Sequence, residues 1–523
     1  MEPDPILDPG EIQGDALAGF RKDHVRLLFV DFPPDKVTAA KSWIGGLVDQ
    51  IAYLDAVHAF NTAFSRMRAR LAQDPPMSAC WLSMAFTADG LRLLRPDWDW
   101  GAIDKRFASG AAKSAAYLGD PTDGSPGDPA TWEVGKPGQT LHAMLTIAAD
   151  AKEDLQAKAD SLVHDIDQLG FTLVLDQPGN TSTNAPGHEH FGFKDGISQP
   201  GVRGRIGTNG PLVTRRVLAS TDPLAGTFSA PGEPLLWPGA FVLGYPRKKT
   251  GSIDPNDLTT DSIPAWMKNG SYVVFRKIYQ DVAGFNRAIA EETARLRQIA
   301  DFQGFDEKRV GACAVGRWKT GAPLMRAPLA DDPALAADAD ASNSFFFTRD
   351  TPTVTYDPAA AHPPDPPNLA RRDPTGVECP LSAHIRKVNP RDEITDQGKA
   401  ARTLEHRVIR RGVPFGLDYD PTSPASAAEP RGLLFICYQM SIQSGFEFLQ
   451  HNWANPVDAP HDGAGADLII GQTGGGPRAI ALKSPGGTRN SLSVGNFTHC
   501  GGTVYLFTPG RQALIDLAQS PEV

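Results

Sequence analysis

Cysteine is scarce in this sequence, and the cysteines that are present do not follow a pattern for a disulfide framework or a metal site. There are five in 523 residues, they are scattered, and no two have C-x-x-C spacing. An odd, scattered set argues against a small disulfide-stabilised fold and against a zinc site. We expect reduced thiols, most of them buried.

Long basic runs and long apolar runs are missing as well. The longest basic run is Arg247–Lys249, and the formal net charge is −10, which argues against a surface for nucleic acid or anionic membranes. No apolar run is long enough to span a bilayer, and the first residues lack the basic and apolar regions of a signal peptide. We therefore expect a cytoplasmic protein with neither a nucleic-acid nor a membrane partner.

The chain is long enough for more than one hydrophobic core. Of its 523 residues 41% are hydrophobic, and a domain commonly holds about 100 to 200 residues. The first half predicts a strand at 25–30, a helix over 43–54, an apolar stretch at 140–148, a helix at 152–169 and a strand at 171–175. The long irregular segments between these units favour an α+β sheet with helices on one face.

The second half repeats this order of elements. Residues 201–244 are rich in Gly, Pro, Thr and Ser, so we place a boundary there and expect halves at 1–210 and 211–523. The patterns that follow predict a strand at 271–278, a helix at 282–299, a central strand at 433–440, a strand at 505–507 and a helix at 511–518. Residues 320–376, dense in Asp, Ala and Pro, predict a long loop insertion. The repeated order suggests a duplicated fold.

One stretch, Gly192-Phe193-Lys194-Asp195-Gly196, places an acid between two glycines. Glycines accept backbone angles that are closed to other residues and let the main chain approach a flat ligand. The carboxylate of Asp195 is a group that can move a proton. An Asp-Gly pair is also a common turn signal, so this stretch by itself favours an ordinary turn.

A histidine followed by cations forms a second cluster, with His384, Arg386, Lys387 and Arg391 at the end of the run 379–391. A neutral imidazole is a good axial ligand for haem iron, and Arg or Lys can pair with the porphyrin propionates. Alternatively, His384 caps a helix or packs in a core beside a solvated basic face.

The third cluster places Arg410 among apolar neighbours, between Ile409 and Val413. A guanidinium carried into an apolar interior is costly unless an anion is present there. A peroxide bound to iron is such an anion. The alternative is a surface Arg-Arg pair before a Gly-Val-Pro turn.

Taken together, the three clusters resemble the dye-decolorizing peroxidases, a family of haem b enzymes. Residues 192–196 match the G-x-x-D-G motif of the family, and residues 383–387 and 409–412 look like its proximal-histidine and distal-arginine regions. The likeness extends to four further segments: 12–15, 85–91, 316–318 and 501–509. It therefore spans nearly the whole chain, and the length resembles the larger subclasses of the family.

The resemblance implies two ferredoxin-like halves of the dimeric α+β barrel type, with antiparallel sheets and peripheral helices. His384 would be the ligand of the haem b iron, and Asp195, reaching over from the first half, would form the distal catalytic pair with Arg410. The remaining residues that we assign to haem binding are Arg386, Lys387, Gly196, Leu433 and Phe435. The last two would pack in the distal pocket, although the other face of the same strand, Leu434 and Ile436, is an open alternative.

The implied activity is a haem-dependent peroxidase that uses hydrogen peroxide to oxidise dyes, phenolics or other bulky aromatic reductants through an oxoferryl intermediate. Because Asp stays a base down to acidic pH, we expect an acidic optimum. One alternative keeps the haem as substrate or cargo, in tetrapyrrole handling or iron release. Another is a non-catalytic ligand-binding protein in which Asp195 only forms a turn. A homo-oligomer is compatible with all three.

Two further expectations concern groups around the haem. The proximal histidine needs an acceptor for its second nitrogen, and compact relatives place an acid near the position that aligns with Asn496. The chain departs from the family there, and we take Glu447 as the substitute. Dyes too large for a buried pocket would require a surface radical site, for which Trp318 and Trp453 are candidates, although tryptophan more often packs inside a protein.

Overall fold

The computed structural model describes residues 3–71, 75–218, 221–222, 224–230, 232–350, 370–472, 478–484, 487 and 489–519. The strands in these ranges are β1 (Ile6–Leu7), β2 (His24–Asp31), β3 (Cys80–Phe86), β4 (Ala143–Ala149), β5 (Thr172–Asn180), β6 (Gly201–Val202), β7 (Arg205–Ile206), β8 (Phe228–Ala230), β9 (Glu233–Leu236), β10 (Arg247–Lys248), β11 (Leu258–Thr259), β12 (Ser271–Gln280), β13 (Ile409–Arg410), β14 (Val413–Phe415), β15 (Gly432–Gln439), β16 (Arg478–Lys483), β17 (Arg489–Val494) and β18 (Thr498–Thr508).

The α-helices are α1 (Gly14–Leu17), α2 (Val37–Leu47), α3 (Leu54–Leu71), α4 (Ala88–Leu94), α5 (Lys105–Ser109), α6 (Lys152–Gln168), α7 (Val282–Leu296), α8 (Glu307–Val315), α9 (Pro333–Ala337), α10 (His384–Val388), α11 (Ala400–Thr403) and α12 (Arg511–Ala518). Two π-helical segments span Gln443–Glu447 and Leu449–Ala454. Short 3₁₀ turns occur at Pro34–Lys36, Val48–Gln50, Ala111–Ser114, Pro129–Thr131, Pro238–Ala240, Ala265–Met267, Ala300–Phe302, Ala341–Asn343, Leu404–His406 and Pro424–Ala428.

One antiparallel sheet runs through both halves of the chain. Its strand order is β13-β15-β12-β18-β3-β4-β2-β5, and β14 also pairs with β15. Numbered in chain order, β2 to β5 lie in the spatial order 4-1-3-2. In the second half, the strands of this sheet are β12, β13 with β14, β15 and β18. They have the same spatial order when β13 and β14 together count as the second strand. This repeated order confirms the duplicated α+β fold that the sequence predicts.

The sheet curls until its two outer edges meet. In the middle, β18 pairs with β3 through Phe507 and Phe86. At the outer edges, β5 lies against β14, where Gly179 contacts Val413. The interior between the halves is filled by alternate residues of the strands, because side chains alternate between the two faces of a strand. Helices cover much of the opposite face of the sheet, and part of this face in the second half borders a cavity.

Most of the predicted elements are present. The strand at 25–30 lies within β2, the helix at 152–169 is α6, the helix at 282–299 contains α7, and the strand at 433–440 is the central β15. The helix at 511–518 is α12. The predicted thiols are also confirmed, since all five cysteines are free and only Cys80 is exposed.

One predicted helix is wrong, and several strands, among them β3, were not predicted. The apolar spacing over 43–54 belongs to two helices, α2 and α3, because the backbone at Ile51 is extended, with φ −70° and ψ 136°. Trp43, Leu47 and Ile51 pack in the core on the helix-covered face of the sheet, whereas Leu54 packs in the core between the halves. Strand β3, which joins the two halves, has no strict polar–apolar alternation, since five consecutive residues of it are buried.

The predicted loop at 320–376 contains the short helix α9 and a 3₁₀ turn within its described part, whereas residues 351–369 lie outside the described residues. The division of the chain at residue 210 stays a prediction. In the described ranges, no helix is long and apolar enough to cross a membrane.

Candidate active site

A large cavity lies on the outer face of the second half's strands. It is bounded by the glycine-rich bend of the first half, by β12 and β15, by α10, and by the π-helical segments. Residues that line it include Asp195, Gly196, Gln199, Ile278, His384, Val388, Arg410, Leu433, Phe435 and Leu449. The three sequence clusters, which are far apart along the chain, therefore meet at one cavity.

Strand β15 divides its side chains between the cavity and the core. Leu433 and Phe435 line the cavity, whereas Leu434 and Ile436 are buried between the two halves. The alternation follows from the pleat of the strand. It selects one of the two faces that the sequence left open.

The bend that carries Asp195 is held from within by a half-buried carboxylate. Glu189 accepts hydrogen bonds from the backbone N–H groups of Phe191 at 2.9 Å and Phe193 at 2.8 Å. Gly192 and Gly196 have φ values of 90° and 70°, which a residue with a side chain adopts only with strain. No atom lies within 4 Å of the place where a Cβ on Gly196 would be, so the backbone is open to a ligand there.

Asp195 and Arg410 form an ion pair at the cavity wall. Arg410 Nη1 donates to Asp195 Oδ1 at 2.8 Å, and Arg410 Nη2 donates to the carbonyl of Ser198 at 3.1 Å. The N–H of Gly196 also donates to Oδ1. Within the described chain, both hydrogen bonds that Asp195 accepts end on Oδ1, and Oδ2 has no donor.

The charge of this pair keeps Asp195 ionised. Burial raises the pKa of the Asp195 carboxyl, but the positive charge of Arg410 and the hydrogen bonds from Gly196 and Arg410 outweigh it. The net effect holds the pKa below the ordinary aspartate value. Asp195 is therefore a base at neutral and mildly acidic pH.

His384 begins α10 and is fixed by a buried acid. Its Nδ1 lies 2.8 Å from Oδ2 of Asp467, whose side chain is fully buried. The other oxygen of Asp467 accepts the N–H groups of Ile469 and Ile470 at 2.8 and 3.0 Å. A carboxylate at Nδ1 selects the tautomer that leaves the lone pair of Nε2 free for a metal.

The pKa values of this pair shift in opposite directions. Burial raises the pKa of Asp467, but the charge and hydrogen bond of His384, together with the two backbone N–H groups, lower it below the ordinary value. Burial lowers the pKa of His384, and the charge and hydrogen bond of Asp467 raise it by more. The charge of Arg410 also lowers the pKa of His384, and the charge of Asp195 raises it. The proximal and distal groups are therefore close enough to influence one another.

The acceptor predicted for His384 is wrong. Glu447 is buried, but it binds Arg106 Nε at 2.8 Å and the hydroxyl of Tyr505 at 2.8 Å. The side chain of Asn496 accepts from Arg478. Asp467 was missed, although a single acid in the apolar run 464–470 was a usable signal, because a buried carboxylate needs a partner.

The structure also places Arg386 and Lys387 away from the cavity, contrary to the sequence prediction. Arg386 is fully buried and pairs with Glu393 and Asp373. Lys387 donates to backbone carbonyls, among them those of Pro456 and Ala459. On α10 the cavity face holds residues 384, 385 and 388, so the helical period turns residues 386 and 387 to the other side.

Four other arginines line the cavity: Arg276, which pairs with Asp120, and a set of three without an acidic partner among the described residues, Arg317, Arg391 and Arg407. All three are buried, and in the described part of the chain none has a carboxylate oxygen within 4 Å. Arg317 and Arg391 donate mainly to backbone carbonyls. The Nε of Arg407 has no hydrogen-bond partner among the described residues.

Burial without an anion destabilises the charge of these arginines. It lowers the pKa of Arg317 and of Arg391 to about 9, and that of Arg407 to about 10. Unpaired buried cations are costly, so this end of the cavity fits a ligand that carries anionic groups.

Family models and known proteins match this chain over most of its length. A model described as the DyP dimeric alpha+beta barrel domain matches residues 11–175, and a model described as Dyp-type peroxidase, C-terminal, matches residues 315–475. A dye-decolorizing peroxidase of Mycetinis scorodonius is 30% identical over 97% of this chain and 87% of its own length. The chain belongs to the dye-decolorizing peroxidase family.

Solved structures of dye-decolorizing peroxidases support the same assignment. An ancestral D-type enzyme superposes with a TM-score of 0.77 at 30% identity, covering 98% of this chain and all of its own. A dye-decolorizing peroxidase in complex with 2,6-dimethoxyphenol gives a TM-score of 0.72 at 29% identity, with 98% and 100% coverage. The chain is thus a haem peroxidase with the α+β barrel fold that the sequence predicts.

The two tryptophans proposed as surface radical sites of this dye-decolorizing peroxidase are not at the surface. Trp318 and Trp453 are 3% and 0% exposed. Their indole N–H groups donate to the carbonyl of Ala327 and to Asp396. The prediction is wrong because both rings pack in the interior.

Proposed function

We propose that this enzyme binds haem b in the cavity through His384 and uses hydrogen peroxide to oxidise dyes, phenols and other aromatic reductants. The observation that carries the proposal is the meeting of two pairs at one cavity. One is the histidine–carboxylate pair of His384 and Asp467, and the other is the acid–cation pair of Asp195 and Arg410.

The lining of the cavity fits haem b at several points. His384 Nε2 would ligate the iron, with Asp467 raising the basicity of the ring. The buried cations Arg317, Arg391 and Arg407 would pair with the propionates. The apolar side chains of Leu433 and Phe435 would pack against the macrocycle, and Gly196 gives it a close backbone approach.

Haem, when bound, supplies an iron that binds peroxide and takes up its oxidising equivalents. Oδ2 of Asp195 is free of hydrogen-bond donors from the described chain, so this atom would accept a proton from hydrogen peroxide. It would return the proton to the departing oxygen, which leaves as water. Arg410 keeps its positive charge and would stabilise the negative charge on that oxygen.

The aromatic reductants are proposed by analogy with relatives. One solved relative is a complex with 2,6-dimethoxyphenol, which supports a phenolic substrate. The name of the Mycetinis scorodonius relative, a dye-decolorizing peroxidase, supports a dye as the assay substrate. Peroxide supplies the oxidising power in either case.

The test is the spectrum and turnover of purified protein. We expect a ferric Soret band and peroxide-dependent bleaching of a dye. His384→Ala should lose haem or change its ligand field, while Asp195→Asn and Arg410→Leu should keep haem and react slowly with peroxide in stopped flow. Arg26→Leu is the matched control, because Arg26 forms a similar ion pair with Asp176 and neither residue lines the cavity.

Other results of this test would favour a different function or a different mechanism. Haem without turnover would favour the haem-handling alternative, and colourless protein that cannot be reconstituted would contradict both. Wild-type peroxide rates in Asp195→Asn and in Arg410→Leu would remove the distal pair from the mechanism.

Two finer predictions remain. We propose that residues 1–210 and 211–523 are the two units of the duplication, which limited proteolysis would support by cutting first near that boundary. The cytoplasmic location stays a prediction, to be checked by cell fractionation.

A further inference from the structure

The side chain of Gln199 holds the backbone of Arg410 at both of its hydrogen-bonding groups. Its Nε2 donates to the Arg410 carbonyl at 3.0 Å, and its Oε1 accepts the Arg410 N–H at 3.2 Å. Arg410 lies in β13, which ends the sheet. The amide of Gln199 therefore takes the place of a neighbouring strand, because it offers the same donor and acceptor as a peptide group.

The segment from Asp195 to Gln199 thus contacts Arg410 at four points. Asp195 and Ser198 bind the two ends of the guanidinium, and Gln199 binds the main-chain N–H and carbonyl. The guanidinium lies at the end of a flexible side chain, so its position depends on where the backbone of Arg410 is fixed. On its other side this backbone pairs with β15, and Arg411 Nη1 also donates to the Arg410 carbonyl at 3.0 Å. Gln199 fixes the edge of β13 that faces the bend.

We propose that Gln199 is a positioning residue, which sets the backbone of Arg410 so that its guanidinium stays aligned with Asp195 during reaction with peroxide. This inference rests on the proposed function of Arg410. In the proposed mechanism Gln199 touches neither the peroxide nor the haem iron. Its contact with Arg410 explains how a bend in the first half controls a side chain of the second half.

The first half contains the same device without a catalytic residue. Gln13 donates from Nε2 to the Met84 carbonyl at 2.9 Å and accepts the Met84 N–H at 3.0 Å. Met84 lies in β3, which is the second strand of its half, as β13 is in the other. Gln13 Nε2 also donates to the carbonyl of Pro509 in the second half at 3.0 Å. A glutamine therefore bridges the halves at each junction of the described sheet, but the strand that Gln13 holds carries no distal residue, whereas the strand that Gln199 holds carries Arg410. Gln13 is the matched control.

The experiment compares Gln199→Met with Gln13→Met in haem-loaded protein. Methionine is close to glutamine in size but makes neither hydrogen bond. We expect Gln199→Met to speed amide hydrogen exchange in the peptide around residue 410 and to slow the reaction with peroxide. A slowing of roughly tenfold to a hundredfold is expected, since a misplacement of about 1 Å can cost that much. Gln13→Met should speed exchange around residue 84 and keep the wild-type peroxide rate.

A double-mutant cycle with Arg410→Leu separates positioning from a general structural effect. If Gln199 acts through Arg410, then Gln199→Met should add no further slowing once Arg410 is leucine. Independent, multiplied losses in rate would overturn the proposal, and so would unchanged exchange around residue 410. The kcat/KM for the aromatic reductant should not change, because only the peroxide step is affected.

Two arrangements keep the test decisive. If Gln199→Met does not fold, Gln199→Glu keeps the acceptor for the Arg410 N–H and loses the donor, so an intermediate rate supports the proposal and a wild-type rate overturns it. If Arg410→Leu itself reacts at the wild-type rate, the proposed role of Arg410 fails. The exchange measurement then still decides whether Gln199 fixes the backbone of Arg410.

Discussion

Replacing Asp467 by asparagine should raise the reduction potential of the haem iron. The carboxylate is fully buried and lies 2.8 Å from Nδ1 of His384. Its negative charge, passed to the iron through the imidazole, stabilises the ferric state over the ferrous state. Asparagine is close to aspartate in shape but has no charge, so the ferrous state becomes easier to reach.

General experience with metal sites sets the scale of the change. Losing the hydrogen-bond partner of a metal-bound histidine typically changes metal affinity or activity roughly 10- to 100-fold. Applied to the balance between the ferric and ferrous states, each tenfold change corresponds to about 59 mV for a one-electron couple. The range is therefore about 60 to 120 mV. The guanidinium of Arg478, which donates to the carbonyl of Asp467 itself and interacts with its charge, already offsets part of that charge. We expect the lower half of the range.

Asparagine also cannot satisfy all the donors around this position. Oδ2 of Asp467 faces the His384 N–H, while Oδ1 faces the N–H groups of Ile469 and Ile470. An amide NH₂ must therefore face a donor on one side. The unpaired groups should lower the free energy of unfolding by about 1–3 kcal/mol.

Spectroelectrochemical titration of the Soret band measures the potential directly. Asp128→Asn is the control, because Asp128 is a buried aspartate that accepts the N–H groups of Gly124 and Ala130 and does not line the cavity. It should leave the potential unchanged. A potential in Asp467→Asn equal to that of the wild type would refute the proposed role of Asp467.

Three further predictions follow from the cavity and its surroundings. Because Arg410 lowers the pKa of Asp195, the acid limb of kcat/KM should lie below the ordinary aspartate pKa, and Arg410→Leu should move this limb to higher pH; an unmoved limb would argue against Asp195 as the base. Arg407→Met should speed the transfer of haem to an excess of a second haem-binding protein by about tenfold, because it removes one charge-assisted hydrogen bond to haem. Equal transfer rates for the variant and the wild type would exclude a contact between Arg407 and a propionate. Arg386→Met removes the guanidinium that pairs with the buried Glu393 and Asp373, so that Glu393 keeps only His461 among its described ion-pair partners, and it should lower the free energy of unfolding by about 3–5 kcal/mol in chemical denaturation. Haem retention by the folded fraction should stay normal, and selective haem loss would restore the propionate role of Arg386.

Short-range patterns were predictable from the sequence because local chemistry determines them. The glycines around Asp195 permit a bend that few other residues adopt. The alternation along 433–436 restricted the cavity-facing side chains to two choices. The apolar patterns also located most of the strands and helices, and their repeated order indicated the duplication. Where the pattern crossed a break, as at Ile51, it still reported burial but no longer a single helix.

Most of the site assignments that failed depend on contacts between distant segments. Glu447 and Asp467 are both fully buried acids, and composition does not distinguish them. Only the packing of a segment 83 residues beyond His384 decides which of them reaches the imidazole.

By itself, the sequence determined which chemical groups this peroxidase has, an acid in a glycine bend, a histidine and an arginine among apolar residues, and the repeated α+β order that carries them. Only the tertiary structure decided their partners. The packing of the two halves decides which face of α10 meets the cavity and which of the described buried arginines lack a carboxylate. It also brings Gln199 to the backbone of Arg410. A side chain's neighbours across a core are set by the docking of whole elements, and no local pattern in the chain specifies that docking.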